Sequence, residues 1–301
     1  MKTIVFPATS RVHLARQALL LDELKKYFEV DIFEPTTKRE GNASIYSLLC
    51  AIEFNNFLTK KKYDLMLARG DRYEVLPLAI MAAYRGISIA HIEGGDLSSV
   101  IDNKVRHAIT HLSDYHFCTN EESHARLIAM GINPNKVWNF GSLDVEFAMK
   151  VKDNQLRDKK YILVTYHPIA GEDKGELEEA LKKYAEYDVI KIVSNNDYGA
   201  SFGDESYAPE DFINLMRHAV CCVGNSSALL KEASILGVPV VNVGHRQDKR
   251  LKPRNVLDTE CKKENIERAI DFQMTGDREK DLTYWQPDTS INIALKLRDL
   301  I

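Results

Sequence analysis

The residues of this chain that could do chemistry recur in one kind of place, just after short apolar runs. Arg11 follows Thr3–Pro7, Gly70-Asp71-Arg72 follows Asp64–Ala68, and Glu93-Gly94-Gly95-Asp96 follows Ser88–Ile92. In the second half His167-Pro168 follows Tyr161–Thr165 and Asn195-Asn196-Asp197 follows Val189–Val193. Gly224-Asn225-Ser226-Ser227 follows Val220–Val223, and Gly244-His245-Arg246-Gln247 follows Val238–Val243. The first half concentrates carboxylates: Asp71, Glu93, Asp96 and Asp102. Carboxylates that share a site can hold different protonation states, which suits acid/base work. Asp102, just ahead of a helical segment, also reads as an N-cap. The second half offers anion-binding features. A small-residue loop, Gly224 to Ser227, opens onto a helix, where free N–H groups and the helix dipole favour negative charge. Ser226 or Ser227 reads equally as a plain N-cap. Arg246, Lys249, Arg250, Lys252 and Arg254 make a positive run in an otherwise acidic chain, a candidate clamp for a diphosphate. His167 stands apart because Pro168 sets the turn beside it. His91, His107, His111, His116, His124 and His218 read as packed residues of helices and strands.

The elements that must position these residues alternate. Apolar strands are expected at the runs just named and at Val30–Phe33, Tyr115–Cys118 and Val137–Phe140. Between them lie segments of helical spacing: Leu14–Tyr27, Ile45–Lys60, Glu74–Arg85, Asp102–Leu112 and Glu121–Met130. The second half repeats the pattern with Gly175–Tyr187, Pro209–His218, Ala228–Leu236 and Asn265–Met274, and Ile291–Ile301 reads as a terminal amphipathic helix. Strands alternating with helices of this length predict βαβ units and parallel sheets. The charged stretch Asp144–Lys160 reads as a linker between two halves. At 301 residues the chain is long enough for two domains of about 150 residues each. In parallel sheets ligands bind outside the carboxyl ends of the strands. Two such edges facing each other would form one shared cleft.

Composition excludes several function classes. Hydrophobic residues are 45 % and charged residues 28 %, with a net charge of −4. Such a surface has no general attraction for nucleic acid or anionic membrane. No run reaches the roughly 18 apolar residues of a membrane span, and Met1–Leu14 does not read as a signal peptide. Cys50, Cys118, Cys221, Cys222 and Cys261 form no CxxC pair and no zinc spacing, so buried thiols in a reducing, cytoplasmic setting are expected. A P-loop, a GxGxxG fingerprint, a serine nucleophile elbow and an HExxH motif are absent.

Taken in series, the residues resemble the UDP-N-acetylglucosamine 2-epimerase family, in particular its hydrolysing branch, which makes N-acetylmannosamine-type sugars for sialic and related acids. The resemblance rests on Gly70-Asp71-Arg72, His91-Ile92-Glu93-Gly94-Gly95, Ile101-Asp102 with Arg106-His107, Val164-Thr165-Tyr166-His167-Pro168, and Gly224-Asn225-Ser226-Ser227 with Glu232. Asn195-Asn196-Asp197, Gly244 with Arg246-Gln247, and Asn255-Val256-Leu257 extend it, so that it spans about residues 1–258. It implies a GT-B fold of two Rossmann-like domains facing across a cleft: residues 1–147 with the catalytic carboxylates, 148–288 binding the nucleotide, and 289–301 as a helix packing back on the first domain. It implies a UDP-sugar substrate, a homodimer, and no metal or cofactor in the chemistry. Asp71, Glu93 and Asp102 would be the acids and bases, and His167 would contact the diphosphate or act as an acid. Arg11, Arg246 and the Ser226-Ser227 loop would meet the diphosphate. Glu232 would hold the ribose, Arg72 and Arg106 would line the pocket, and Asn195 would contact substrate.

The chain departs from the family pattern on the side where the sugar sits. It is shorter between residues 33 and 63, reads Thr9-Ser10-Arg11 for the usual Gly-Thr-Arg, and carries Arg69 where a histidine is usual. These changes bear on the sugar more than on the nucleotide. The rival readings are a non-hydrolysing epimerase, a GT-B glycosyltransferase and a silent sugar-nucleotide binder. Three carboxylates in series count against the last two.

Overall fold

Runs such as Ile4-Val5-Phe6 and Leu65-Met66-Leu67 are apolar at every position, the mark of strands covered on both faces. The computed structural model describes residues 1–9, 11–37, 42–99, 101–169, 171–193 and 202–301, and of 11–13 the backbone alone. It divides into one unit of residues 1–146 and 285–301 and another of residues 147–284.

The first unit holds strands β1 (Thr3–Pro7), β2 (Glu29–Phe33), β3 (Leu65–Arg69), β4 (Ser88–Ile92), β5 (Tyr115–Cys118) and β6 (Val137–Asn139). They form one sheet in the order β2-β1-β3-β4-β5-β6, with every pairing parallel. Period-two alternation splits its side chains between two faces. Val5, Met66 and Ile89 pack with helices α3 (Ala43–Phe57), α4 (Val75–Tyr84) and α5 (Asp102–Leu112). Ile4, Leu65, Leu67 and Ala90 pack with α2 (Ala18–Leu24) and the terminal helix, Thr289–Leu300. Helix α6 (Glu121–Ala129) adds Leu127 beside Cys118 and Val137.

The second unit holds β7 (Tyr161–Thr165), β8 (Asp188–Lys191), β9 (Cys221–Gly224), β10 (Val240–Val243) and β11 (Val256–Thr259), in the order β11-β10-β9-β7-β8, again all parallel. Ile162 and Val164 face one layer of helices, Tyr161 and Leu163 the other. The helices after α6 in chain order are α7 (Leu143–Lys150), α8 (Lys174–Leu181), α9 (Pro209–His218), α10 (Ser227–Leu236), α11 (Lys263–Met274) and α12 (Thr289–Leu300). Both sheets have the doubly wound order whose strand sequence reverses at one gap, between β1 and β3 and between β7 and β9. Such a gap is where open α/β sheets take ligands.

The α/β expectation holds, with local corrections. The segment Leu14–Tyr27 is two helices, α1 (Arg11–Arg16) and α2, broken at Gln17. Gln17 is fully buried, and with its amide oriented oxygen-first toward the guanidinium, the orientation that satisfies both groups, it accepts from Arg69 Nη1 at 2.9 Å and Nε at 3.2 Å. The stretch Asp144–Lys160 is not all linker. Its start is α7, with Val145 1 % and Ala148 0 % exposed. Its acids face inward: Glu146 accepts from Ser290 N and Oγ, and Asp144 pairs with Arg69 at 2.7 Å. The edge strand β11 is half-buried and too short for its periodicity to announce it.

Candidate active site

In the first unit the turn after β3 is made by Gly70, at φ +68°. Its N–H donates to the Ile92 carbonyl at 2.9 Å, and its own carbonyl accepts from His91 Nε2 at 2.8 Å. The turn presents Asp71, whose side chain is 27 % exposed and ion-paired through Oδ2 to Arg106 Nη2. Arg106 comes from α5 and is buried. Its Nη1 also donates to the Asp96 carbonyl at 2.9 Å and to Asn103 Oδ1 at 3.0 Å. One guanidinium therefore ties the loops after β3 and β4 together.

The loop after β4 begins with Glu93, a non-glycine residue at φ +68°. That conformation costs roughly 1–2 kcal/mol, and such strain gathers at functional positions. The Glu93 N–H donates to the Phe117 carbonyl at 2.8 Å, and its carboxylate pairs with Arg69 Nη2 at 3.4 Å. A Cβ placed on Gly70 would lie 3.9 Å from Glu93 Oε2, so Glu93 and the Asp71 turn share the carboxyl edge of β3 and β4. Gly95 is required for a different reason: a Cβ there would meet the Ser123 carbonyl at 2.5 Å, on the helix packed behind the loop.

Two expectations change at this edge. Asp102 is not an N-cap but the first residue of α5, after an Ile101 cap without a side-chain bond. There its charge favours the helix dipole, four residues before Arg106 and hence on the same helix face. Asp96 leaves the group of candidate acids. It is 3 % exposed, and its Oδ1 accepts from Thr119 Oγ1 and Ser123 Oγ, both at 2.8 Å. Arg72 pairs with the fully buried Glu74 at 2.7 Å. Arg11 lies at the start of α1, and its side chain is outside the described residues.

Behind the edge, His91 and His116 are register partners on β4 and β5, both buried. A carbonyl can only accept, so His91 Nε2 carries the proton given to Gly70, and Nδ1 accepts from Thr110 Oγ1 at 3.1 Å. Burial pushes His91 down to about 4. Burial, with His91 as a further cause, pushes His116 down to about 3. A depressed imidazole stabilises the fold fully above its unfolded value near 6.5, and that stability is lost as pH falls toward the folded value. For His91 the amount is on the order of 3 kcal/mol. The thermal unfolding midpoint is therefore expected to drop steeply between about pH 6.5 and 4, and His116→Phe should flatten the slope. Equal slopes in the two proteins would remove the pair from the account.

The second unit gathers its loops at the gap between β7 and β9. Gly224 closes β9 at φ +141°, and a Cβ there would lie 2.0 Å from the Thr165 carbonyl, so only glycine allows the two strands so close. Asn225 is fully buried. Its Oδ1 accepts from His167 N at 2.7 Å and its Nδ2 donates to the His167 carbonyl at 2.9 Å. Its own carbonyl accepts from Arg246 Nη1 at 2.9 Å and Gln247 Nε2 at 2.8 Å. Asn225 thus joins the loops after β7, β9 and β10. Sequence reasoning placed Asn225 in the loop but gave it no role. A buried asparagine between glycine and serine at a strand end was the available signal.

Ser226 is the N-cap of α10, its Oγ accepting from Ala228 N at 3.4 Å, and Ser227 opens the helix. Glu232 is 1 % exposed on the same helix. The positive run divides. Arg246 serves the Asn225 loop, whereas Lys252 pairs with Asp258 at 2.6 Å and Arg254 Nε with Asp281 at 3.4 Å. Burial raises the Tyr166 hydroxyl, as does its bond to Glu172, whose other oxygen accepts from His245 N at 2.6 Å. Asn195 lies outside the described residues.

The family model described as UDP-N-acetylglucosamine 2-epimerase matches residues 16–298. The chain is 31 % identical over 259 residues to the UDP-N,N'-diacetylbacillosamine 2-epimerase (hydrolyzing) of Legionella pneumophila, covering 75 % of this chain and 66 % of the relative. It is 30 % identical over 255 residues to the UDP-N-acetylglucosamine 2-epimerase of Neisseria meningitidis serogroup B, covering 75 % and 68 %. The chain thus spans about two thirds of the length of each. Among solved structures, the S. aureus MnaA–UDP co-structure superposes with a TM-score of 0.84 at 17 % identity, covering 100 % of this chain and 98 % of that one.

Proposed function

Because the chain belongs to the UDP-N-acetylglucosamine 2-epimerase family, we propose that it cleaves UDP-N-acetylglucosamine, or a related UDP-2-acetamido sugar, to UDP and the free 2-epimeric sugar. The observation that carries this reading is the pair Asp71 and Glu93 at the carboxyl ends of adjacent strands, each held by a buried arginine.

The sugar C2 proton has no carbonyl beside it and is not acidic by itself. Its loss is feasible when it is coupled to departure of the diphosphate from C1. A carboxylate takes the C2 proton, the C1–O bond breaks with its electron pair going to UDP, and a C1–C2 double bond forms. Water then adds hydroxyl to C1 and a proton returns to C2 on the opposite face. Carboxylates suit both proton transfers and stabilise positive charge developing at the ring. Asp71, Glu93 and Asp102 take these roles, with Arg72 and Arg106 lining the sugar site. In the second unit Arg246 and the N-terminus of α10 with Ser226 and Ser227 receive the diphosphate, with His167 as a contact or acid and Glu232 on the ribose. Arg11 and Asn195 complete the substrate contacts, and no cofactor or metal enters the steps.

The similarity to a relative named as hydrolysing supports release of UDP. The similarity to a relative named without that word supports the alternative, in which UDP is re-added. Incubation with UDP-N-acetylglucosamine in deuterated water, followed by proton NMR, separates them. Free UDP with N-acetylmannosamine deuterated at C2 is the expected result. Interconversion of two intact UDP-sugars would establish the alternative. No reaction with any UDP-2-acetamido sugar would overturn the proposal.

We also propose a cytoplasmic homodimer. All five cysteines are free thiols, as a reducing compartment favours, and no helix among the described residues is long and apolar enough to cross a membrane. Ile45, Leu48, Leu49 and Ile52 form an exposed apolar stripe at helical spacing on α3, each more than 40 % exposed. Light scattering is expected to give twice the 34.2 kDa of one chain. Leu48→Asp with Ile52→Asp should halve that mass, and an unchanged mass would exclude this face.

A further inference from the structure

The strained Glu93 leans on a buried ion cluster that the reaction scheme does not use. Arg69 ends β3 and is 6 % exposed. Its Nη2 lies 2.7 Å from Asp144 Oδ1 and 3.4 Å from Glu93 Oε1, and its other nitrogens donate to the Gln17 amide oxygen. Asp144, on α7, is in turn 3.7 Å from Arg16 Nη1 on α1. Among the described residues two cations and two carboxylates thus meet in one cluster, with the Arg69 guanidinium between the carboxylates. Burial works against the charge on Arg69, but Asp144 and Glu93 outweigh it, so Arg69 stays ionised. A planar guanidinium can serve several acceptors at fixed angles, which an ammonium cannot.

We propose that Arg69 is a positioning residue that holds the Glu93 carboxylate aimed across the β3–β4 edge, with Asp144 and Gln17 locking the guanidinium in place. This rests on the catalytic role given to Glu93 above. The left-handed backbone at Glu93 sets where the side chain starts, and Arg69 sets where it ends. The shorter bond to Asp144 makes Arg69 a fixed post, so Glu93 can exchange a proton without moving the cation. Among the described residues, the charged and titratable groups around Glu93 include Arg69 from β3, His91 from β4, Asp71 from the turn after β3, and, through Arg69, Asp144 from α7 and Arg16 from α1.

The test uses the full chain. Arg69→Met is expected to lower kcat for UDP-N-acetylglucosamine at least 100-fold with KM changed less than 3-fold. Arg69→Lys should recover only part of kcat, because it keeps the charge without the fork. Since Arg69→Met leaves Asp144 under-compensated, Arg69→Met with Asp144→Asn is the second variant. It removes one cation and one carboxylate together, so the net charge of the site is unchanged. A folded double variant with parental kcat would overturn the proposal. So would a loss confined to KM. If the parent turns over no UDP-sugar, carbon-13 NMR of the Glu93 carboxyl decides instead. A Glu93 carboxyl resonance that is broadened or split in Arg69→Met but single and narrow in the parent supports the positioning role, and an unchanged resonance overturns it.

Discussion

Asp71→Asn is expected to lower UDP release from UDP-N-acetylglucosamine by at least about a thousandfold, within the range spanned by loss of a general acid or base. UDP binding, measured by calorimetry, should stay within a few-fold of the parent, because the proposed nucleotide contacts other than Arg11 come from the second unit. Asparagine keeps the size of the side chain and can still accept from Arg106. Arg106 also keeps its bonds to the Asp96 carbonyl and Asn103. The variant should therefore fold, with a stability cost of about 1–3 kcal/mol for weakening a charged pair. Turnover near the parental rate would remove Asp71 from the chemistry and leave it as a partner that orders Arg106. Loss of UDP binding together with turnover would point to a folding defect.

Gly224→Val is expected to abolish cooperative folding of the second unit. Any Cβ at this position falls 2.0 Å from the Thr165 carbonyl in the middle of the sheet, at φ +141°. Both neighbouring strands are buried, and the register Thr165 to Gly224 belongs to the β7–β9 ladder. Relief would require parting the two strands that carry His167 and Asn225. The destabilisation should exceed about 4 kcal/mol, the range reserved for such severe defects. Gly131→Ala is the control. Gly131 also has positive φ, +86°, but nothing lies within 4 Å of its added Cβ. It should cost only the backbone strain, about 1–2 kcal/mol. Chemical unfolding of the two variants separates clash from strain, and a Gly224→Val protein within about 1 kcal/mol of the parent would refute the close approach.

The sequence by itself determined every strand but β11, most helices and the edges at which the candidate residues cluster. Strand and helix periodicities are local, so apolar runs such as Tyr161–Thr165 and the spacing of Pro209–His218 were legible from neighbours alone. The placement of Asp71, Glu93, His167 and Asn225 after strands followed from the same runs. Partnerships were not legible, because they depend on groups far apart in the chain meeting at particular angles. Asp71 finds Arg106 across 35 positions. Asp96, which looked like Asp71 in sequence, is taken by Thr119 and Ser123 because α6 packs against the Gly94-Gly95 turn. Asp144 and Glu146 looked like linker charges, but α7 turns them toward Arg69 and Ser290. Tertiary structure alone decided which carboxylates stay at the open edge and which are consumed in holding it, since a buried charge must be matched by a partner that only packing can supply.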